Sequence, residues 1–176
     1  MLTIRRAVPG DAPAIAAVHV TAWRSTYPGI LPADYLAGLS FTRQAAHYDA
    51  AIRAGVGVHV ATALTPPRII GFATAARSRR VKFACGELET LYVLDDWRDQ
   101  GAGRALLSAS AAHLIAQGCR TGFAWVLRAN PARWFYERTG ARLTAEETIR
   151  FAGVPLVQCA YVWSDLEPLL QPSPDT

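Results

Sequence analysis

The sequence predicts one α/β domain of the α+β kind, with a mixed, mostly antiparallel sheet flanked by helices. Three observations point there. The chain opens on a short strand followed by helical periodicity, and its middle is a series of short β-rich runs between turns. Its last third sets helix against strand around glycine turns. With 176 residues, 51% hydrophobic and 18% charged, the chain has material for one core and is too apolar for a disordered segment. No repeat or linker divides it, so residues 1–166 are expected to form the domain and 167–176 a frayed tail.

Thr3–Arg6 reads as the first strand. Asp11 is a candidate N-cap for a helix carrying Ile15, Val18, His19 and Ala22 at helical spacing, ending at the breaker cluster Tyr27-Pro28-Gly29. Pro32 opens a second helix through Leu39, and Thr42 is expected to cap a third running to Arg53. His59–Ala63 and Ile69–Ala76 are strands separated by the turn Thr65-Pro66-Pro67. Gly86–Leu94 is a further strand, followed by the polar loop Asp95–Gly103. Arg104–Gln117 sets Leu106, Leu107, Ala111 and Leu114 on an amphipathic stripe, and Gly118 stops it. Thr121–Val126 is a strand and Pro131–Arg138 a helix closed by Gly140. Arg142–Phe151 and Pro155–Trp163 are strands about Gly153, the last apolar enough to support a homodimer through sheet pairing.

Charge and cysteine usage exclude several classes. Lys+Arg is 18 against 14 Asp+Glu, a net charge of +4, and Lys82 is the only lysine. The densest basic run, Arg77, Arg79, Arg80 and Lys82, lacks the breadth and interleaved aromatics of a nucleic-acid surface and reads as a solvated hairpin tip. Cys85, Cys119 and Cys159 are odd in number and widely spaced, so neither a disulfide framework nor a metal site is expected. The start of the chain has no apolar signal core and no run is long enough to span a membrane, which makes the cytoplasm the expected location.

The informative segment is Leu88–Leu107, a strand, the loop Arg98-Asp99-Gln100-Gly101-Ala102-Gly103, and a helix. Two glycines allow a tight turn and leave amides uncovered at the positive end of the helix, where a phosphate or pyrophosphate fits. A phosphate loop of the nucleotide-hydrolase type is excluded because Arg104-Ala105, not Lys-Ser or Lys-Thr, follows Gly103. A dinucleotide fingerprint is excluded because Ala109 breaks its spacing and Phe123 stands near where its acid belongs.

Leu91-Tyr92-Val93 followed by Arg98-x-x-Gly101-x-Gly103-Arg104-Ala105-Leu106-Leu107 resembles motif A of the GCN5-related N-acetyltransferases. Asn130 with Phe135-Tyr136-Glu137-Arg138-Thr139-Gly140 resembles that family's second acetyl-CoA motif. The order of elements agrees over residues 3 to 163, with departures at Asp95, where the family often has proline, and Ala141, where it often has an aromatic. The resemblance implies a sheet whose central strands splay and an enzyme that moves an acetyl group from acetyl-CoA to an amine, with no metal. The backbone of Leu91, Tyr92 and Val93 would hold the pantetheine arm. Amides of Arg98, Asp99, Gln100, Gly101, Ala102, Gly103 and Arg104 would hold the pyrophosphate, and Asn130 would contact the cofactor through its side chain.

Acetyl transfer needs a base for the ammonium and an acid for the departing thiolate. Tyr136 matches the family's tyrosine acid. Glu87 resembles the glutamate base of histone-modifying members in its distance from Gly101, and Glu89 shares its face in an ideal strand. The two carboxylates either relay protons through water or are solvent-facing charges. Trp23-Arg24-x-x-Tyr27-x-Gly29-Ile30-Leu31-Pro32 resembles a stretch of one bacterial subgroup, which makes Trp23, Arg24 and Tyr27 candidates for the acceptor side. His19, His59 and His113 read as core or surface groups. The expected partner is a small-molecule amine, attacked directly in a ternary complex, with neither nucleic acid nor membrane involved. A non-catalytic acyl-CoA sensor and a protein-modifying acetyltransferase stand as alternatives.

Overall fold

The computed structural model describes residues 2–170. Seven strands form one sheet, β1 (Leu2–Arg6), β2 (Gly57–Leu64), β3 (Pro67–Arg77), β4 (Gly86–Val93), β5 (Gly122–Leu127), β6 (Arg142–Phe151) and β7 (Val154–Trp163). Their order is β1-β2-β3-β4-β5-β7-β6, and every neighbouring pair is antiparallel except β4 with β5. The helices are α1 (Ala12–Thr26), α2 (Ala33–Ala37), α3 (Phe41–Arg53), α4 (Ala102–Ala116) and α5 (Arg133–Arg138).

Side-chain alternation in β3 sorts the core into two layers. Ala73 and Ala75 face α4 and pack with Leu106, Leu107 and Leu114. Phe72 points the other way, into Ile15 and Val18 of α1 and Tyr48 of α3. A third cluster joins α1 and α2 to the β6–β7 hairpin through Tyr27, Leu31 and Leu36, with Trp23, Tyr35 and Phe151 around them.

The expected strands are all present, with small shifts at their ends. Ser40, not Thr42, caps α3 by accepting from the Arg43 amide. α4 begins at Ala102, so Gly103 lies inside its first turn rather than in the loop. β7 is flanked by β5 and β6, so its apolar residues serve the sheet and do not offer an edge for pairing between copies. Residues 167–170, placed in the tail by sequence, form a short 3-10 helix with Leu169 buried, and residues 171–176 lie outside the described chain. No described helix is long and apolar enough to cross a membrane.

Candidate active site

The two halves of the sheet meet at a narrow contact. β4 and β5 pair only at Gly86 with Gly122 and Glu87 with Phe123. Beyond Glu87 the β5-facing edge of β4 has no strand partner, and a cavity of about 660 Å³ opens there. Its walls include Leu91, Tyr92 and Val93 of β4, Asp99, Gly101 and Gly103 of the following loop and turn, and Asn130 and Tyr136 near α5.

At one end lies the loop before α4. Gly101 sits in the left-handed region at φ 82°, a conformation that lacks a steric cost only for glycine, and Asp99 shares it at φ 58°. Among the described residues, no amide from Asp99 to Arg104 donates to another group of the chain. They form a row of free donors at the start of a 15-residue helix, and Gly101, Gly103 and Arg104 line the cavity. A Cβ built on Gly103 would lie 3.5 Å from the Phe135 ring, an ordinary contact, so the fold itself leaves room for a Cβ at this point of the cavity wall. Arg98 is held by Asp95 at 2.7 Å and Thr26 at 3.2 Å, tying the loop to the end of α1. Gln100 folds back onto the Asp96 carbonyl and Ala102 is buried, so neither side chain lines the cavity.

At the other end stand the candidate acid and bases. Tyr136 is 7% exposed, packed against Phe135, Tyr161 and Trp163, and burial drives its phenol pKa well above the ordinary value. The phenol is therefore a protonated donor across the neutral range. In β4, Thr74 pairs with Thr90 and Ala75 with Leu88, which leaves Glu89 as the extra residue of a β-bulge. Ideal alternation from Glu87 to Glu89 fails at this point. The two carboxylates nonetheless interact: burial first, then the charge of Glu89, raises the Glu87 pKa, while Arg80 and Arg79 oppose it. Glu89 is exposed and lines the cavity; Glu87 is half-buried and does not.

Asn130 lines the cavity and is also bonded within the chain. Its Oδ1 accepts from the Ala132 amide and its Nδ2 donates to the Tyr27 hydroxyl at 3.3 Å, so both ends of the amide are used within the chain. Tyr27 lines the cavity, whereas Trp23 and Arg24 do not. Trp23 is stacked on His19 and tilted against Tyr27. Arg24 donates to the Leu36 and Ala37 carbonyls, fastening α2 to α1. His19 bonds the Tyr48 hydroxyl at 2.6 Å, and burial lowers its pKa to about 4, so it stays neutral in the core.

Two sequence readings are corrected. The basic run is a docked loop rather than a solvated tip: Arg80 and Lys82 converge on Glu147 of β6, and Arg80 and Phe83 pack on Trp125 of β5. Cys85 and Cys119 form a disulfide, because each stands just before its strand at the one place where β4 and β5 are hydrogen-bonded neighbours. Spacing along the chain did not reveal that parallel pairing. Also missed were Ser25, Thr26, Trp125, Trp134 and Arg138, which line the cavity. Only Arg138 stood within a recognised motif.

The sequence profile of the acetyltransferase (GNAT) family matches residues 20–141. The uncharacterized N-acetyltransferase YuaI of Bacillus subtilis (strain 168) is 37% identical over 171 residues, 96% of each chain. The putative acetyltransferase yncA from Salmonella typhimurium, solved with its cofactor acetyl-CoA, superposes with a TM-score of 0.71 at 22% identity, covering 100% of this chain and 99% of that one. An N-acetyltransferase from Staphylococcus aureus Mu50 gives a TM-score of 0.71 at 20% identity, covering 95% and 99%. The arrangement of the sheet and helices is thus a shared fold, and the profile match and the Bacillus relative make the chain a member of the GNAT family of acetyltransferases.

Proposed function

We propose that the chain transfers the acetyl group of acetyl-CoA to a primary amine of a small molecule, by direct attack within a ternary complex. Family membership carries the N-acetyltransferase activity and the use of acetyl-CoA. The observation that carries the site assignment is the gap between β4 and β5, which joins the row of free amides at Asp99–Arg104 to Tyr136 and Glu89 in one cavity.

The chain's own groups fit the cofactor in three places. Free donors before α4 suit the pyrophosphate, and the unpaired edge at Leu91–Val93 suits the amides of the pantetheine arm. The Tyr136 hydroxyl is the donor for the departing thiolate: burial keeps the phenol protonated at neutral pH, so it offers a hydrogen bond to the developing charge on sulfur and supplies the proton as the thiolate leaves. Asn130 serves by positioning Tyr27 and the start of α5. Glu89 lies against the cavity and Glu87 behind it, so Glu89 takes the ammonium proton and Glu87 passes it onward through water. No cysteine lines the cavity, which favours direct attack over an acetyl-cysteine route.

A small acceptor is favoured by the loop between β3 and β4. It crosses β5 and is tied to β6 through Glu147, bridging the two sheet halves where an extended peptide would have to lie. The test is a panel of amino acids, polyamines, aryl amines and lysine-containing peptides incubated with acetyl-CoA, read by mass and by coenzyme A release. Acetylation of free amines without peptides is the expected result. Peptide acetylation alone would favour the protein-modifying alternative, and cofactor binding with no product the sensor.

A further inference from the structure

The contact between the two sheet halves is small and its chemistry is unusual. Only two residue pairs join β4 to β5, backed by the Gly86 amide on the Thr121 carbonyl at 3.0 Å and the Cys85 amide on Thr121 Oγ1 at 3.0 Å. The Cys85–Cys119 bond lies directly at this apex, its Cα atoms 5.3 Å apart. Packing around the apex is tight: a Cβ on Gly86 would fall 2.7 Å from Leu114, and one on Gly122 2.9 Å from Leu166. Cys85 also ends the loop that crosses β5, whose base is closed by the Ser78 amide on the Cys85 carbonyl at 2.7 Å. One covalent link therefore joins the loop, β4 and β5 at the point from which the cavity widens.

We propose that Cys85 and Cys119 are a redox-responsive pair whose bond holds the β4–β5 cleft at the width that binds acetyl-CoA. This rests on the assignment of that cleft to the cofactor. The two sulfurs are unequally reachable, since Cys119 is fully buried and Cys85 only half-buried. A small thiolate attacks Cys85 Sγ, the bond to Cys119 breaks, and Cys119 leaves as a thiolate that takes a proton. A second small thiol attacks the mixed disulfide, frees Cys85 as a protonated thiol and departs as a small-molecule disulfide. The protein gains two electrons and two protons. Arg77, opposite Gly86, donates to the Gln117 carbonyl at 2.6 Å and so ties the end of β3 to the segment that carries Cys119. With the bond open, the apex loses its one covalent tie and is held by two residue pairs, a few hydrogen bonds and the packing on Leu114 and Leu166, so it samples a wider range of widths, binding must also select the competent one, and affinity falls.

The full chain is prepared oxidised, reduced with dithiothreitol and desalted, and reoxidised with oxidised glutathione. Thiols are counted after denaturation, Tm is measured, and acetyl-CoA is titrated by calorimetry well below Tm. The expected count is one thiol in the oxidised form, that of Cys159, and three in the reduced form. The expected Kd for acetyl-CoA rises several-fold on reduction and returns on reoxidation. Cys85→Ser and Cys119→Ser should bind at the reduced level under either condition, and the wild-type titration stands even where a variant folds poorly. Three thiols after treatment with oxidised glutathione would overturn the proposal, as would a Kd that ignores the redox state while Tm falls. If neither form binds acetyl-CoA, the cofactor assignment fails and the proposal with it, and the thiol count separates that failure from absence of the bond.

Discussion

The two ends of the cavity are built by different means. At the α4 end, one continuous segment from Asp99 to Arg104 supplies the donors, and they are backbone amides whose direction is set by a left-handed glycine and a helix start. At the other end, Glu89 comes from a bulge in β4, Tyr136 from α5, Tyr27 from the end of α1 and Trp125 from β5. The first end is local and almost independent of side chains. The second exists only when four separate elements are packed together. Substitutions at the α4 end should therefore change cofactor affinity, and those at the far end should change turnover, acceptor choice or pH response.

The largest expected effect tests the far end. Tyr136→Phe removes one hydroxyl and keeps the ring among Phe135, Tyr161 and Trp163. Turnover on a working amine should fall by about 10²–10⁴-fold, the usual contribution of general acid catalysis, if chemistry limits the rate. Acetyl-CoA affinity should stay near normal because the amide row is untouched. Steady-state kinetics with calorimetry on the same variant decide it, and near-normal turnover would hand the proton to water.

Gly103→Val is the complementary test at the α4 end. Gly103 has ordinary helical backbone and room for a Cβ, so Tm should barely move. The isopropyl group would project into the space where the cofactor is expected, and acetyl-CoA affinity should drop about tenfold or more, the factor that corresponds to about 1.4 kcal/mol. Unchanged affinity by calorimetry would place the cofactor elsewhere. A smaller effect is expected from Arg80→Ser, which releases the loop from Glu147 and Trp125. Bulky or peptidic amines should gain several-fold in kcat/KM while acetyl-CoA affinity holds. No gain in a competition between free and peptide-bound amines would remove the loop as a size filter.

The contrast between the two ends also explains what the sequence disclosed. The α4 end was legible because Gly101, Gly103 and the strand before them lie within one short segment whose backbone requirements are visible residue by residue. The strands and helices were legible for the same local reason, through periodicity and breakers. The bulge at Glu89 was not, because it arises from the register of β4 against β3, a pairing that only the assembled sheet shows. Arg24 and Asn130 have side chains suited to a ligand, yet their partners are carbonyls, an amide and a phenol brought close by α2, α5 and α1. The Cys85–Cys119 link depends likewise on β4 and β5 being neighbours, which a 34-residue separation does not state.

The smallest expected effect separates the two glutamates. Glu87 is half-buried, and its pKa is raised above the ordinary 4.5 by burial first and by the charge of Glu89 second. A carboxyl whose folded pKa is raised favours the fold while it is protonated, and that support is lost as pH rises through the folded value. Above its folded pKa the wild type therefore holds an ionised group at a site that prefers a neutral one. Glu87→Gln should raise Tm there slightly, a small gain because the half-buried site is partly screened by solvent. The advantage should vanish below pH 4.5, where both the folded and the unfolded carboxyl are protonated. Glu89→Gln acts differently, because it removes the neighbouring charge and lets the Glu87 pKa fall. If Glu89 is the base and Glu87 only its relay, Glu89→Gln abolishes the acidic limb of the pH profile of kcat/KM. If Glu87 is the base, the limb survives and moves to lower pH. A limb that neither changes nor moves in either variant would leave proton removal to water alone, and the far end of the cavity would then depend as little on charged side chains as the α4 end does.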